Sequence, residues 1–258
     1  MVAVAVLVAG GWPAASAWSA EKPVTGTLDA DGVKIAYSIR GHGEPVVLIH
    51  GWLASAGLNW DLPGTTALLA KDFRVITLDV RGHGKSDKPT DEEAYGLELA
   101  ADVIRLLDHL KIKQAHIVGY SMGGIIAGNL LANHPDRCLS GTLGGMGWLQ
   151  EGGLGQRFFA QIGRNDPNAK ALTICGRSLA KLAITRDQLK GIRVPVVVIV
   201  GDEDRPILRL YVDPLKSARP DWKVVEIEGA NHISCILKPR FREEIAEWLK
   251  QNGQKTGR

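Results

Sequence analysis

The stretch Gly119-Tyr120-Ser121-Met122-Gly123 constrains this chain more than any other, because it sets a hydroxyl between a short apolar strand and a helix. Ala115-His116-Ile117-Val118 has the apolar content of a buried strand. From Met122 onward, Ile125, Ile126, Leu130 and Leu131 recur at helical spacing and lay one apolar stripe against a sheet. A sharp strand-to-helix turn forces unusual backbone angles on its central residue and brings helix and strand close together. Bulky side chains two positions to either side would collide there, so glycine at 119 and 123 suits the turn and serine at its apex is a candidate nucleophile. The same residue types also occur in plain loops before helices, so the rest of the chain has to decide.

A serine hydroxyl is a weak nucleophile at neutral pH and needs a base, which in turn needs an orienting carboxylate. Both are present downstream. Val196-Val197-Val198-Ile199-Val200 is a continuous apolar run, as in a parallel strand buried on both faces, and it ends in Gly201-Asp202-Glu203-Asp204. A further strand, Lys223 to Ile227, leads into Gly229-Ala230-Asn231-His232. An imidazole on that loop can lean over the same sheet edge as the serine.

Taken together these motifs resemble the α/β-hydrolase superfamily in its serine-nucleophile, esterase-like and lipase-like branch, from about Val33 to Leu249. His50-Gly51-Trp52, after the strand Val46 to Ile49, resembles the family's oxyanion loop. Asp79-Val80-Arg81-Gly82-His83-Gly84-Lys85-Ser86-Asp87 resembles the turn after the next strand, Phe73 to Leu78. The chain order serine, acid, histidine is that of the family. The resemblance implies Ser121 as nucleophile, His232 as general base, Asp204 as the orienting acid, and the backbone amides of Trp52 and Met122 as the oxyanion hole. Asp202 is the competing acid; Asp204 is preferred because the family places this carboxylate three residues after the glycine. Asn231 departs from the glycine common before the family's histidine, which alters the loop but keeps the base.

The remaining histidines, His42, His50, His83, His109, His116 and His134, fit ordinary buried or surface imidazoles. They show no helical ligand spacing, so neither a metal nor any other cofactor is expected. Gly119 to Gly124 lacks a dinucleotide fingerprint, and the chain has no P-loop. Cys138, Cys175 and Cys235 are too widely spaced for a disulfide framework and are expected to be free, mostly buried thiols. A formal net charge of +3 without a long basic run gives no footprint for nucleic acid. The expected partner is a small-molecule substrate, an apolar ester, with no obligate protein partner.

With 258 residues and 45% hydrophobic content the chain can bury one sizeable core, so residues 21–258 are expected to form one domain. Met1 to Ala20 has no charged side chain, opens on the apolar run Val2 to Ala9 and closes on Ala15-Ser16-Ala17, the pattern of a secretory signal peptide. Export to the periplasm or medium is the corresponding expectation, and a disordered or membrane-anchored tail in a cytoplasmic protein is the alternative. The strands named above, with Val33 to Ser38 and Leu139 to Leu143, alternate with helices at Glu92 to Leu110, Met122 to Asn133 and Pro239 to Gln251. That alternation predicts an α/β fold with a mostly parallel sheet flanked by helices.

Between about 148 and 192 the alternation breaks, and a short helical lid is expected over a partly open, apolar pocket. One helix would carry Phe158, Phe159 and Ile162, the other Leu172, Leu179, Leu182 and Ile184, with a turn at Asn165-Asp166-Pro167-Asn168. These apolar residues either line the pocket or pack the lid onto the core. Six glycines from Gly144 to Gly155 suit a hinge or a loose loop. Carboxylic ester hydrolysis through an acyl-enzyme demands the least beyond the triad. A carbon-carbon bond hydrolase, a cofactor-free perhydrolase and a small peptidase are the enzymatic alternatives, and a catalytically silent ligand-binding member of the fold is the non-enzymatic one.

Overall fold

Eight strands carry the fold: β1 (Val24–Ala30), β2 (Val33–Arg40), β3 (Glu44–Ile49), β4 (Phe73–Leu78), β5 (Ala115–Tyr120), β6 (Cys138–Gly144), β7 (Val196–Gly201) and β8 (Lys223–Ile227). The computed structural model describes residues 22–161 and 170–253. The signal-peptide expectation, the proposed turn at 165–168 and Ile162 lie outside the described residues. The strands form one sheet in the order β1-β2-β4-β3-β5-β6-β7-β8. β1 with β2 and β2 with β4 pair antiparallel, and every other pairing is parallel. The sheet is therefore mostly parallel, as the alternation predicts.

β1 went unread in the sequence because Val-Thr-Gly-Thr-Leu-Asp-Ala carries little apolar signal. Its turn is clearer: Asp31 and Gly32 have φ of 56° and 85°, the conformation of a two-residue hairpin that favours Asp-Gly. β3 shows why the central strands are nearly all apolar. Val47 and Ile49 face a core shared with the helices Glu98–His109 and Met122–Asn133, while Val46 and Leu48 face a second core shared with Trp60 and the helix Pro239–Asn252. Phe241, Ile245 and Leu249, four residues apart, form that last helix's buried stripe.

Two predicted helices differ from those observed. The helix expected over Glu92 to Leu110 is a short turn at Glu92–Ala94 followed by a helix at Glu98–His109. Gly96 breaks it with φ of 76°, and Tyr95 turns inward to donate its hydroxyl to Pro89 O at 2.8 Å. In the insertion, the first helix is Leu154–Ala160, with Phe158 and Phe159 on it. The second runs only from Lys170 to Ser178, then tightens into a single turn at Leu179–Leu182, and Ile184 lies beyond both, bridging to Gln150. A third, Arg186–Gly191, starts on a capping box between Thr185 and Gln188. The glycine-rich stretch is largely packed. A Cβ on Gly147 would stand 2.4 Å from Tyr211 O, and one on Gly155 2.2 Å from the Tyr211 ring.

The Asp79 to Asp87 turn acts as a knot among β2, β4 and the loop after β3. Asp79 accepts from the amides of Ala56 and Lys85, both at 2.8 Å, and Ser86 Oγ accepts from Ala36 N while donating to Asp79 O. Arg81, with its side chain 3% exposed, forms a two-pronged ion pair with buried Asp102 on the helix Glu98–His109. Removing one partner of such a pair typically costs about 3–5 kcal/mol, because the other charge is left buried.

Candidate active site

Chain direction changes sides at β3: β4 lies on one flank and β5 on the other, so the loops leaving β3 and β5 open a crevice at the carboxyl edge. Ser121 follows β5 and Trp52 follows β3 at this point. Ser121 has φ of 54° and ψ of −112°, a conformation costly for any residue with a Cβ. It is held by Ser121 N donating to Gly144 O at 2.8 Å and by the helix that begins at Met122. The flanking glycines are a steric necessity. A Cβ on Gly119 would stand 1.9 Å from Gly123 O, and one on Gly123 2.0 Å from Ile49 O.

The structure brings Ser121, His232 and Asp204 into one chain of hydrogen bonds. His232 Nε2 lies 2.9 Å from Ser121 Oγ, and His232 Nδ1 lies 2.6 Å from Asp204 Oδ2. With the carboxylate accepting from Nδ1–H, Nε2 carries the lone pair and accepts from the serine hydroxyl. Asp204 is 4% exposed, whereas the His232 side chain is 38% exposed and open to a substrate. Asp202 is used differently: its Oδ1 accepts from Ala230 N at 3.3 Å and steadies the loop before the histidine.

Asn231, the departure from glycine, builds that loop. Its side-chain oxygen accepts from the amides of Ile233 and Ser234, both at 3.0 Å, as an Asx turn. Tyr120, which sequence reasoning left without a role, donates its hydroxyl to His232 O at 2.5 Å and packs its ring 5.7 Å from the imidazole. Its place beside Ser121 was visible in the sequence, but the bond crosses 112 residues and needs the fold.

The loop after β3 is tightly tied. Gly51 N donates to Asn59 Oδ1 at 2.7 Å and lies against Ser121, while Leu53 N donates to His83 Nε2 at 3.3 Å. His50 Nε2 accepts from Val80 N at 3.0 Å, and the His50 and His83 rings meet edge to face at 5.2 Å. Burial pushes His50 down to about 4, helped by its neighbour His83, and burial also lowers His83. Both imidazoles therefore stay neutral and act as acceptors for backbone amides. Among the described residues, the amides of Trp52 and Met122 donate to no protein acceptor. Two donors beside a nucleophile that lack partners are what an oxyanion hole requires.

Cys138, Cys175 and Cys235 are buried and unpaired. No group of three or more His, Cys, Asp or Glu among the described residues is arranged to hold a metal ion. Nor is any described helix long and apolar enough to cross a membrane.

The family model of the alpha/beta hydrolase fold matches residues 44–161. The chain belongs to the α/β-hydrolase superfamily. It is 29% identical to a 3-oxoadipate enol-lactonase of Acinetobacter baylyi, over 87% of this chain and 96% of that protein. It is 37% identical to a 2-hydroxy-6-oxo-6-phenylhexa-2,4-dienoate hydrolase of Comamonas testosteroni, over 52% of this chain and 46% of that protein. The match spans less than half the length of that hydrolase and of other curated relatives, 30–46% in all. Among solved structures the chain is similar to an enol-lactonase from Burkholderia xenovorans, at 26% identity and a TM-score of 0.71, over 87% of this chain and 100% of that one. These relatives support a hydrolase.

Proposed function

We propose that the protein is a serine hydrolase of carboxylic esters that works through an acyl-enzyme. The observation that carries this reading is the continuous chain from Ser121 Oγ to His232 at 2.9 Å and on to Asp204 at 2.6 Å, beside two unpartnered amides. His232 takes the hydroxyl proton, Ser121 Oγ attacks the ester carbonyl carbon, and the oxyanion is met by the amides of Trp52 and Met122. The imidazolium then protonates the leaving alcohol. Water, deprotonated by His232, cleaves the acyl-enzyme to release the acid and restore the serine. Each oxyanion donor in such a site is worth about 3–4 kcal/mol in the transition state.

An apolar substrate is supported by where the large exposed apolar side chains lie. Leu53 and Ile233, next in sequence to Trp52 and His232, and Leu154 and Phe158 of the insertion are among the large exposed apolar side chains. The helices between 154 and 191 are the lid in this reading. The two full-length likenesses to enol-lactonases support an ester, here a cyclic one, as the bond class. Carbon-carbon bond hydrolysis is the second reading, supported by the partial match to the dienoate hydrolase.

A fluorophosphonate probe is expected to label the wild type at Ser121 and to leave Ser121→Ala unlabelled. A panel of p-nitrophenyl esters, lactones and a vinylogous diketone, assayed on the same preparation, separates the two readings. Turnover of the diketone alone would overturn the ester assignment, and an unlabelled folded wild type would favour a silent ligand-binding member. The acid is assigned by comparing Asp204→Asn with Asp202→Asn, and the larger kcat defect identifies the orienter. Export belongs to the same proposal and is read by sequencing the amino terminus of the mature protein.

A further inference from the structure

The residues that offer the two oxyanion amides share a second property. Both side chains reach the same helix of the insertion, Lys170–Ser178. The Trp52 indole Nε1–H donates to Leu172 O at 2.9 Å across 120 residues of sequence, and the Cys175 thiol lies 3.8 Å from Met122 Sδ, to which it donates. Leu172 and Cys175 are three residues apart and so share one face of the helix. Burial pushes the Cys175 thiol up to about 12, which keeps it protonated as the donor. The helix is also fixed from outside, since Arg177 pairs with Glu92 at 2.7 Å.

The oxyanion loop needs such a hold. Leu53 has φ of 63°, a left-handed conformation unfavourable for a residue with a Cβ, and the peptide it shares with Trp52 sits in that strained turn. Two hydrogen bonds brace the pair, Leu53 N to His83 from below and the Trp52 indole to Leu172 from the insertion. We propose that the helix Lys170–Ser178 positions the oxyanion hole, with Trp52 as the positioning side chain and Cys175 as a second, weaker contact through Met122. This rests on the ester hydrolase reading above. It makes the insertion a determinant of transition-state stabilisation as well as of substrate admission. A substrate that fits poorly under this helix is then penalised in kcat and not only in KM.

Trp52→Phe keeps an aromatic ring and removes the N–H, so the Trp52 amide stays in the chain but loses its brace. We expect kcat for a p-nitrophenyl ester to fall about tenfold with KM within about twofold, short of the roughly 100-fold or larger loss that follows removal of an oxyanion donor. Inhibition by a boronic acid, whose tetrahedral adduct places an oxygen in the hole, should weaken by a similar factor. The pH dependence of kcat should not move, because the base is untouched. Cys175→Ala should lower kcat by about threefold, and the double variant should be less impaired than the product of the two, since both act through one helix. Wild-type kcat and boronate affinity in both variants, or a change confined to KM, would overturn the proposal. If Trp52→Phe fails to fold, the Cys175→Ala values decide alone. Failure of the underlying reading looks different: the wild type itself would neither hydrolyse esters nor take the probe.

Discussion

The two edges of the sheet each carry a serine, a histidine and a carboxylate joined in line. At the carboxyl edge Ser121, His232 and Asp204 are linked at 2.9 and 2.6 Å. At the amino edge Ser140 Oγ lies 2.7 Å from His116 Nδ1, and His116 Nε2 lies 3.1 Å from Glu44 Oε2. The distances barely distinguish them. Their surroundings do: Ser140 is 1% exposed and His116 fully buried within the sheet, whereas Ser121 sits in a strained turn and His232 reaches solvent. A proton relay alone does not make a site. Attack on a substrate also needs an approach path and amides without partners, and Ser121 has the unpartnered amides of Met122 and Trp52 beside it while Ser140 is closed off.

That contrast can be broken most directly by exchanging the serines' fates. Ser121→Ala is expected to lower kcat/KM for a p-nitrophenyl ester by roughly 10⁶-fold, in the range seen for loss of a triad nucleophile. Ser140→Ala should stay within about twofold of the wild type in the same assay. Equal losses would mean that the amino-edge cluster takes part in turnover. The acids should differ in kind. Asp204→Asn is expected to cost roughly 10⁴-fold in kcat by upsetting the imidazole tautomer. Glu44→Gln should leave kcat nearly unchanged and instead lower the urea midpoint.

The smallest effect concerns acid stability. Burial lowers His116 despite Glu44 beside it, as burial lowers His83 and pushes His50 down to about 4. These imidazoles are neutral in the folded protein, while in the unfolded chain they take up protons below about 6.5. Their contribution is thus fully present above that pH and is lost as the pH falls toward 4. Urea unfolding at pH 7 and pH 4.5 should show the decline, and His116→Gln should make it shallower. An unchanged slope would take His116 out of this account.

The fold's central elements were legible because their physics is local. Val196 to Val200 reads as a strand buried on both faces, and Ile125, Ile126, Leu130 and Leu131 mark the buried stripe of the helix Met122–Asn133. The turns that carry Ser121, Asp204 and His232 were legible for the same reason, as turn chemistry at strand ends. What stayed hidden depends on contacts distant in sequence. Tyr120 shows no sign in the sequence that its hydroxyl will meet the carbonyl of residue 232, nor Trp52 that its indole will meet residue 172. The insertion was the least legible part, since its glycines serve close packing on Tyr211, which no periodicity announces.

The bond from Tyr120 to the backbone of His232 has a consequence for how the protein can diversify. Elbow strand and histidine loop are riveted into one block, further tightened where a Cβ on Gly201 would stand 2.0 Å from Ala230 O. The helix Leu154–Ala160 makes its contacts elsewhere, Gly155 against the Tyr211 ring and Gln156 donating to Ala180 O at 2.8 Å. Descendants of such a chain are free to trade that segment for others and acquire new diets while the reactive assembly passes on intact.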